Sequence, residues 1–216
     1  MYASVAVSFD ELFANSHVIS CNQRRMEILE HNFTKYGLPV PKLFPAITRS
    51  DMSGTQNSSL SHAAVIREAK DNGRPLALIF EDDAYPCKDI LYKMKHLTVP
   101  QYSDICLLGH HKTNVKATNN WNLVGRKDYA WGAHAYIIWA KAYDRVLKMY
   151  EERPIVSCDG IWGKTAKIWT NCWLRRNPWF IQYNEPTESS NFRHYGYVIN
   201  GNHIEPPVGF DYIDKI

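Results

Sequence analysis

The 216-residue sequence lacks several features that mark whole classes of protein. Its 11 Gly and 11 Pro are too few for collagen or linker material, and its hydrophobic fraction of 45% is too high for a disordered chain. The longest apolar stretch, residues 133–140, is far short of the roughly 18 residues that span a bilayer. Lys and Arg (25) nearly balance Asp and Glu (22), so charge gives no argument for general nucleic-acid binding. We expect one domain over residues 1–216.

Cysteine is also scarce, and its spacing does not favour metal or disulfide chemistry. The five cysteines are widely separated and form no C-x-x-C pair, which argues against structural zinc and against a disulfide scaffold. Residues 1–20 lack the basic start, long apolar core and small-residue cleavage site of a secretory signal. We therefore expect a cytoplasmic protein, with peripheral contact at the inner face of a membrane as an open alternative.

Short apolar runs alternate with helical stretches, an order that favours an α/β fold. A tail over residues 196–216 is expected to be irregular. The second predicted helix takes Ser59 or Ser61 as its N-cap and Gly73 as its stop. Strands are predicted at residues 5–8, 17–20, 42–46, 76–80, 104–108, 133–139 and 180–183, and helices at 23–36, 59–72, 141–151 and 159–173.

The clearest strand, residues 76–80, runs directly into Glu81-Asp82-Asp83. In open α/β sheets, ligands bind beyond the carboxyl ends of the strands. Three adjacent carboxylates repel one another and need a cation or abundant water. Mg²⁺ and Mn²⁺ are commonly held by one or two carboxylates plus substrate phosphates. The triplet therefore predicts a metal–phosphate site, with a solvated acidic turn as the alternative.

Further short motifs occur in order along about residues 16–190. They are Arg24-Arg25, Leu60-Ser61-His62, the run from Ala77 to Asp83, Leu107-Leu108-Gly109, the run from Gly132 to Ile138, Asp159, Gln182 and Ser189-Ser190. In this order and spacing they resemble the family 25 glycosyltransferases. That family includes lipopolysaccharide and lipooligosaccharide sugar transferases and procollagen galactosyltransferases.

The resemblance implies a single GT-A-like, Rossmann-like domain with a central, mostly parallel sheet. It implies an inverting transfer of galactose or another hexose from a nucleotide-sugar donor, with a UDP-sugar expected. The acceptor would be a hydroxyl of a glycan, glycolipid or protein, as in lipopolysaccharide biosynthesis. Mn²⁺ or Mg²⁺ is implied as cofactor, with Asp83 as its best direct ligand. Glu81 is a second ligand or, like Asp82, a donor contact.

Inversion also requires a base that takes the proton of the acceptor hydroxyl, a task that carboxylates perform in related chemistry. Asp159 matches the late aspartate of the family and is the candidate. It directly precedes a helical pattern, so a helix N-cap is the competing interpretation. Ser61 and His62 match the Ser-His pair of the family and are expected to face the donor. Alternatively, Ser61 caps its helix and His62 is a satisfied polar residue.

The remaining candidates follow predicted strands or lie in loops. Arg24 and Arg25 suit donor phosphates, although a solvated first helical turn is the alternative. The resemblance assigns Gln182 and Ser189 to the donor site. The candidates for acceptor contact are His110 and His111, which end another predicted strand, and Trp131 in a predicted loop. A basic cluster of Lys164, Lys167, Arg175 and Arg176 lies beside aromatic residues and is interpreted as a solvated helix face, with contact to anionic glycolipid, phosphate or nucleic acid as the alternative.

Two departures from the family pattern leave the donor sugar open. Ile19-Ser20-Cys21-Asn22 stands where the family has Asn-Leu, and Trp139-Ala140 stands where the family has a serine. The alternatives are a GT-A enzyme of another family acting on protein or modified DNA bases, and a noncatalytic carbohydrate-binding protein. A phosphotransferase or nuclease is disfavoured because no G-x-x-x-x-G-K-[ST] loop occurs and carboxylates on neighbouring strands are few.

Overall fold

The structure is a computed structural model that describes residues 3–110, 112–116, 119–152, 171–175, 177–182, 198–199 and 202–203. Its helices are α1 (Phe9–Ala14), α2 (Gln23–Lys35), α3 (Gly54–Asp71), α4 (Ile90–Lys95) and α5 (Ala140–Glu152). Its strands are β1 (Ser4–Ala6), β2 (Ser16–Ser20), β3 (Lys42–Pro45), β4 (Leu76–Glu81), β5 (Ala84–Pro86), β6 (Thr98–Pro100), β7 (Ile105–Leu107), β8 (Lys112–Thr113), β9 (Trp121–Leu123), β10 (Ala130–Trp131), β11 (Ala135–Trp139), β12 (Cys172–Arg175), β13 (Phe180–Gln182), β14 (Val198–Ile199) and β15 (Asn202–His203).

A central sheet in the described part of the chain has seven strands in the order β3-β2-β4-β11-β7-β12-β9. β3, β2 and β4 are mutually parallel, and β7 is parallel to β12. β11 is antiparallel to both β4 and β7, and β9 is antiparallel to β12. Five of the seven strands thus run in one direction. The prediction of an α/β fold with a mostly parallel central sheet is confirmed.

β4 shows why an unbroken apolar run suits the centre of this sheet. Leu76, Leu78 and Phe80 belong to one hydrophobic core cluster, which includes residues of α1 and α2. Ala77 and Ile79 belong to the other cluster, which includes residues of α3 and α5. Because successive strand side chains point to opposite faces, a strand covered on both sides must be apolar at every position.

The start of α3 differs from the sequence prediction. The helix begins at Gly54, and Ser53 caps it in a reciprocal capping box with Gln56. Ser59 and Ser61 therefore lie inside the helix and are not its cap. Gly73, with φ +64°, follows its end as predicted.

The prediction of a helix over 159–173 is wrong at its end, and residues 153–170 lie outside the described residues. Trp173 and Arg175 lie on β12, paired with β7 on one side and β9 on the other. Hydrogen bonding from two neighbouring strands overrides the helix-like spacing of tryptophans. Arg175 consequently occupies a strand end and not a solvated helix face.

Four two-stranded pairings lie outside the central sheet in the described part of the chain: β1 with β6, β8 with β10, β5 with β13, and β14 with β15. β13 pairs with β5 beside that sheet, and β14 pairs with β15 within the predicted tail. None of the helices in the described ranges is long and apolar enough to cross a bilayer.

Candidate functional site

A cleft of about 380 Å³ opens where β2 and β4 end. Its other walls are the loop after β3 and the first turns of α3. We call it the acidic cleft. Seven of the predicted site residues line it together: Arg25, Ser61, His62, Glu81, Asp82, Asp83 and Gln182.

Asp83 is the most deeply placed carboxylate of the acidic cleft, with 6% of its surface exposed. Its Oδ2 accepts a hydrogen bond from Gln182 Nε2 at 2.8 Å and lies 4.0 Å from Arg25 Nη1. Its buried Oδ1 has no hydrogen-bond partner in the described part of the chain. Burial, followed by the charges of Glu81 and Asp82, raises the pKa of Asp83 well above its usual range. A cation at Oδ1 would stabilise the charged form.

Asp82 has a different environment, since both of its oxygens are engaged by protein groups. Ser20 Oγ donates to Oδ2 at 2.5 Å, and Arg25 Nη1 donates to Oδ1 at 3.1 Å. Asp82 therefore fixes the Arg25 guanidinium between itself and Asp83.

Glu81 is oriented by a buried chain of hydrogen bonds. His62 is 1% exposed; its Nε2 lies 3.1 Å from Glu81 Oε1 and its Nδ1 lies 2.8 Å from the Tyr136 hydroxyl. Because a carboxylate oxygen only accepts, Nε2 carries the hydrogen and Nδ1 accepts from the hydroxyl. His62 is thus a satisfied core histidine whose outer nitrogen holds Glu81 at the cleft.

Ser61 contributes to the shape of the acidic cleft through its hydroxyl. Its Oγ accepts from the Ile47 amide and donates to the Asn57 carbonyl, both at 2.8 Å. These two bonds tie the loop after β3 to the middle of α3.

Other predicted residues do not line the acidic cleft. Arg24 is exposed in the first turn of α2, and Trp131 is half-buried on β10. His110 is buried; its Nε2 donates to the Arg175 carbonyl at 2.8 Å, and burial lowers its pKa. The roles predicted for these residues stay predictions. His111, Asp159 and Ser189 lie outside the described residues.

Sequence reasoning missed two residues that organise the acidic cleft. Ser20 ends β2, and its neighbour Ile19 is in register with Glu81 on β4. Tyr136 sits in the apolar run of β11, in register with Ile79. The strand order is the signal that locates both residues, and the order follows only from the folded sheet.

The residues of the acidic cleft meet some of the requirements of a divalent-cation site. The described residues contain no group of three or more His, Cys, Asp or Glu side chains placed to hold a metal ion. The unpartnered Asp83 Oδ1 is nevertheless the kind of oxygen that Mg²⁺ or Mn²⁺ binds. Such ions keep several positions for water and substrate phosphates, so one or two carboxylates suffice.

The chain matches no protein-family model and no curated protein. Its fold partly overlaps several solved structures. A glycosyltransferase involved in the glycosylation of the major capsid of PBCV-1 has 8% identity and a TM-score of 0.48, covering 77% of this chain and 90% of that one. The protein A197 from STIV has 10% identity and a TM-score of 0.43, covering 83% and 98%. The nucleoside-diphosphate-sugar pyrophosphorylase from Vibrio cholerae RC9 has 11% identity and a TM-score of 0.40, covering 76% and 73%. At these values the likenesses carry no conclusion about reaction or substrate.

Proposed function

We propose that this protein is a metal-dependent glycosyltransferase that binds a nucleoside-diphosphate sugar in the acidic cleft. The hexose would pass, with inversion, to a hydroxyl of a glycan, glycolipid or protein. The observation that carries the proposal is the buried Asp83 carboxylate, a residue that lines the cleft and has one oxygen without a hydrogen-bond partner in the described part of the chain. The ordered motifs that resemble family 25 glycosyltransferases support it independently.

In this proposal, Asp83 and Glu81 would hold Mn²⁺ or Mg²⁺, ions that proteins commonly bind through one or two carboxylates. When bound, the ion offsets the negative charge on the leaving diphosphate, a Lewis-acid role. Gln182 orients Asp83, and His62 orients Glu81. The two ligands are thereby held in place before the donor arrives.

Besides the metal ion, the Arg25 side chain would place a positive charge beside the donor phosphates. Its guanidinium is held by Asp82 with 22% of the side chain exposed, and in this proposal it contacts a donor phosphate. Asp159 is the proposed base that takes the proton of the acceptor hydroxyl. A carboxylate there would act on the acceptor side, without a part in donor binding.

Thermal unfolding with a panel of nucleotides, with and without Mn²⁺, tests donor binding. We expect a nucleoside diphosphate plus Mn²⁺ to raise Tm by roughly 5–10 °C at a hundredfold excess over Kd. Asp83→Asn should abolish this shift, whereas Asp51→Asn, at an exposed carboxylate, should preserve it. A protein that responds to no nucleotide would refute the donor site.

Released nucleoside diphosphate measures the reaction. Asp159→Asn should keep the Mn²⁺-dependent rise in Tm but lose transfer to acceptor. Full transfer by this variant would remove Asp159 from the mechanism. Binding of glycan without donor consumption would instead identify a carbohydrate-binding protein.

A further inference from the structure

A second cluster of side chains lies at the same sheet edge, where β12 ends and β9 begins. Arg175 ends β12 and pairs in register with Trp121 of β9. The guanidinium carbon of Arg175 lies 5.0 Å from the ring centroid of Trp121 and 4.3 Å from that of Trp179. The guanidinium therefore lies over two tryptophan rings. We call these three side chains the tryptophan clamp.

This cation is partly buried, with no ion-paired carboxylate among the described residues. No Asp or Glu among the described residues forms an ion pair with Arg175, and its Nε is buried without a hydrogen-bond partner there. Burial lowers the pKa of Arg175. Buried arginines are normally paired, because removing an ion from water costs several kcal/mol. Aromatic faces offset only part of that cost.

The clamp is fixed by bonds that do not involve the arginine side chain. Trp121 Nε1 donates to the Thr98 carbonyl at 2.7 Å. The Trp179 amide donates to the Leu108 carbonyl at 2.7 Å, and the Trp179 carbonyl accepts from the Cys87 amide at 2.9 Å. Both tryptophans are almost fully buried. The two rings that contact the guanidinium are thus held in place by folding, and its N–H groups are the donors that would bind a ligand.

β13 connects the clamp to the acidic cleft. Trp179 directly precedes β13, and Gln182, the last residue of that strand, donates to Asp83. Three residues of extended chain span about 10 Å. A ligand that reached from the acidic cleft to Arg175 would therefore extend well beyond the sugar being transferred.

We propose that Arg175, held in the tryptophan clamp, is a binding site for an oxyanion, a phosphate or carboxylate group, on the acceptor. The planar guanidinium binds either group through two parallel hydrogen bonds. The assignment to the acceptor rests on the proposed function, because the donor diphosphate is assigned to the acidic cleft. The oxyanion site itself rests only on the geometry of the clamp.

Site-resolved chemical modification of the wild-type protein tests the oxyanion site without any substitution. An arginine-selective dicarbonyl reagent is applied with and without inorganic phosphate, and modified peptides are quantified by mass spectrometry. We expect phosphate to slow modification of Arg175 several-fold and to leave that of Arg126, an exposed arginine near the end of β9, unchanged. Equal rates at Arg175 with and without phosphate, or no reaction there at all, would overturn the proposal.

Calorimetric titration of variants identifies the chemistry of the ligand. The probes are inorganic phosphate, a hexose phosphate, a uronic acid and a neutral hexose. Arg175→Gln should weaken binding of the anionic probe by about tenfold or more, and Arg175→Lys, which keeps the charge but not the planar fork, by less. Arg126→Gln is the matched control and should bind as wild type does. Wild-type affinity in Arg175→Gln would refute the site. Tighter binding of the hexose phosphate than of the uronic acid would identify the group as a phosphate, and the reverse would identify it as a carboxylate.

The Asp83→Asn variant separates this proposal from the proposed function. It should lose stabilisation by nucleoside diphosphate and Mn²⁺ but keep phosphate protection at Arg175. Loss of protection in that variant would mean that the phosphate binds in the acidic cleft, and it would overturn the separate oxyanion site. Protection without any nucleotide response in the wild type would instead support the oxyanion site and refute the donor site.

Discussion

The acidic cleft and the tryptophan clamp lie at the same edge of the central sheet, and we call them its acidic half and its arginine half. They carry opposite charges and stabilise those charges in opposite ways. In the acidic cleft, three carboxylates share Arg25, Ser20, His62 and Gln182 as polar partners. In the tryptophan clamp, one guanidinium has aromatic faces and no carboxylate among the described residues. Each half holds one buried polar atom without a partner in that part of the chain, Asp83 Oδ1 and Arg175 Nε. If both proposals are correct, the halves bind ligands of opposite charge.

The comparison also shows two ways of holding a charge in place. Hydrogen bonds orient the carboxylates, and they would persist when a cation binds. Aromatic packing orients the arginine, and its Nε has no hydrogen-bond partner among the described residues. In both cases the neighbouring groups are fixed by the sheet, so the free energy of ordering them is supplied by folding and not by the ligand.

The largest effect should come from Asp83→Asn, which removes the charge of the acidic half while keeping its shape. If that carboxylate holds the cation, transfer should fall by about 10²–10³-fold, the size typical of a lost electrostatic group in catalysis. Initial rates of released nucleoside diphosphate measure it. Asp51→Asn should retain the wild-type rate. A tenfold loss or less would mean that the acidic half does not centre on Asp83.

Tyr136→Phe tests whether the acidic half depends on its buried hydrogen-bond chain. Removing the hydroxyl leaves His62 Nδ1 without that donor and should cost about 1–3 kcal/mol in the free energy of unfolding. Tyr143→Phe is the matched control, because the Tyr143 hydroxyl is buried and has no partner in the described residues. The free energy of unfolding of this control should lie within about 0.5 kcal/mol of the wild-type value or exceed it. Urea unfolding of both variants gives the comparison, and equal losses would contradict it.

The pH dependence of stability should distinguish Asp83 from an ordinary surface acid. Its pKa is raised in the folded state, so the folded protein binds the proton more tightly than the unfolded chain. The resulting stabilisation is complete below the ordinary pKa of 3.8 and is lost as pH rises through the folded value. At pH 7 without divalent cation, Asp83→Asn should therefore be more stable than wild type by about 1–2 kcal/mol.

Urea unfolding from pH 4 to pH 7 measures this difference. The advantage of the variant should shrink on acidification and on addition of Mn²⁺ to the wild type. An advantage that does not change with pH would show that the carboxylate is not destabilised by its surroundings.

The smallest effect should be the coupling between the two halves. Sites without shared partners usually contribute additively. The described side-chain partners of Asp83, which are Gln182 and Arg25, differ from the two tryptophans that hold Arg175. In a double-mutant cycle of Asp83→Asn and Arg175→Gln, we expect a coupling in unfolding free energy below about 0.5 kcal/mol. A larger value would mean that the acidic cleft and the tryptophan clamp form one electrostatic unit.

Much of the acidic half could be predicted from the sequence. β4 and the carboxylates that follow it are evident because an unbroken apolar run that ends in three acids is typical of a buried strand that reaches a polar edge. The resemblance assigns Arg25 to the same site, but its bond to Asp82 and the role of Ser20 are not evident, since both residues reach Asp82 across long stretches of chain, 57 and 62 residues. Long-range pairs of this kind depend on strand order, which local pattern does not encode.

The sequence marks Arg175 only as part of a basic cluster, with phosphate contact as an alternative to a solvated helix face. Its place on a strand could not be predicted, because the local pattern is misleading. The spacing of Trp162, Trp169 and Trp173 is typical of a helix face, yet Trp173 lies on a strand bonded to β7 and β9. The clamp depends instead on two features of the folded chain. One is the pairing of β12 with β9, and the other is the approach of Trp179 from the segment before β13.

β13 fixes the distance between the tryptophan clamp and the acidic cleft. β5 begins directly after Asp83 and holds β13 in register along Ala84–Pro86, so the interval between Trp179 and Gln182 cannot stretch or slip. One residue inserted there would turn Gln182 to the other face of its strand and away from Asp83. In the proposed function, the strand would therefore set the distance between the two parts of the acceptor that bind. An acceptor would be selected by the number of units between its reacting hydroxyl and its anionic group, as well as by their chemistry.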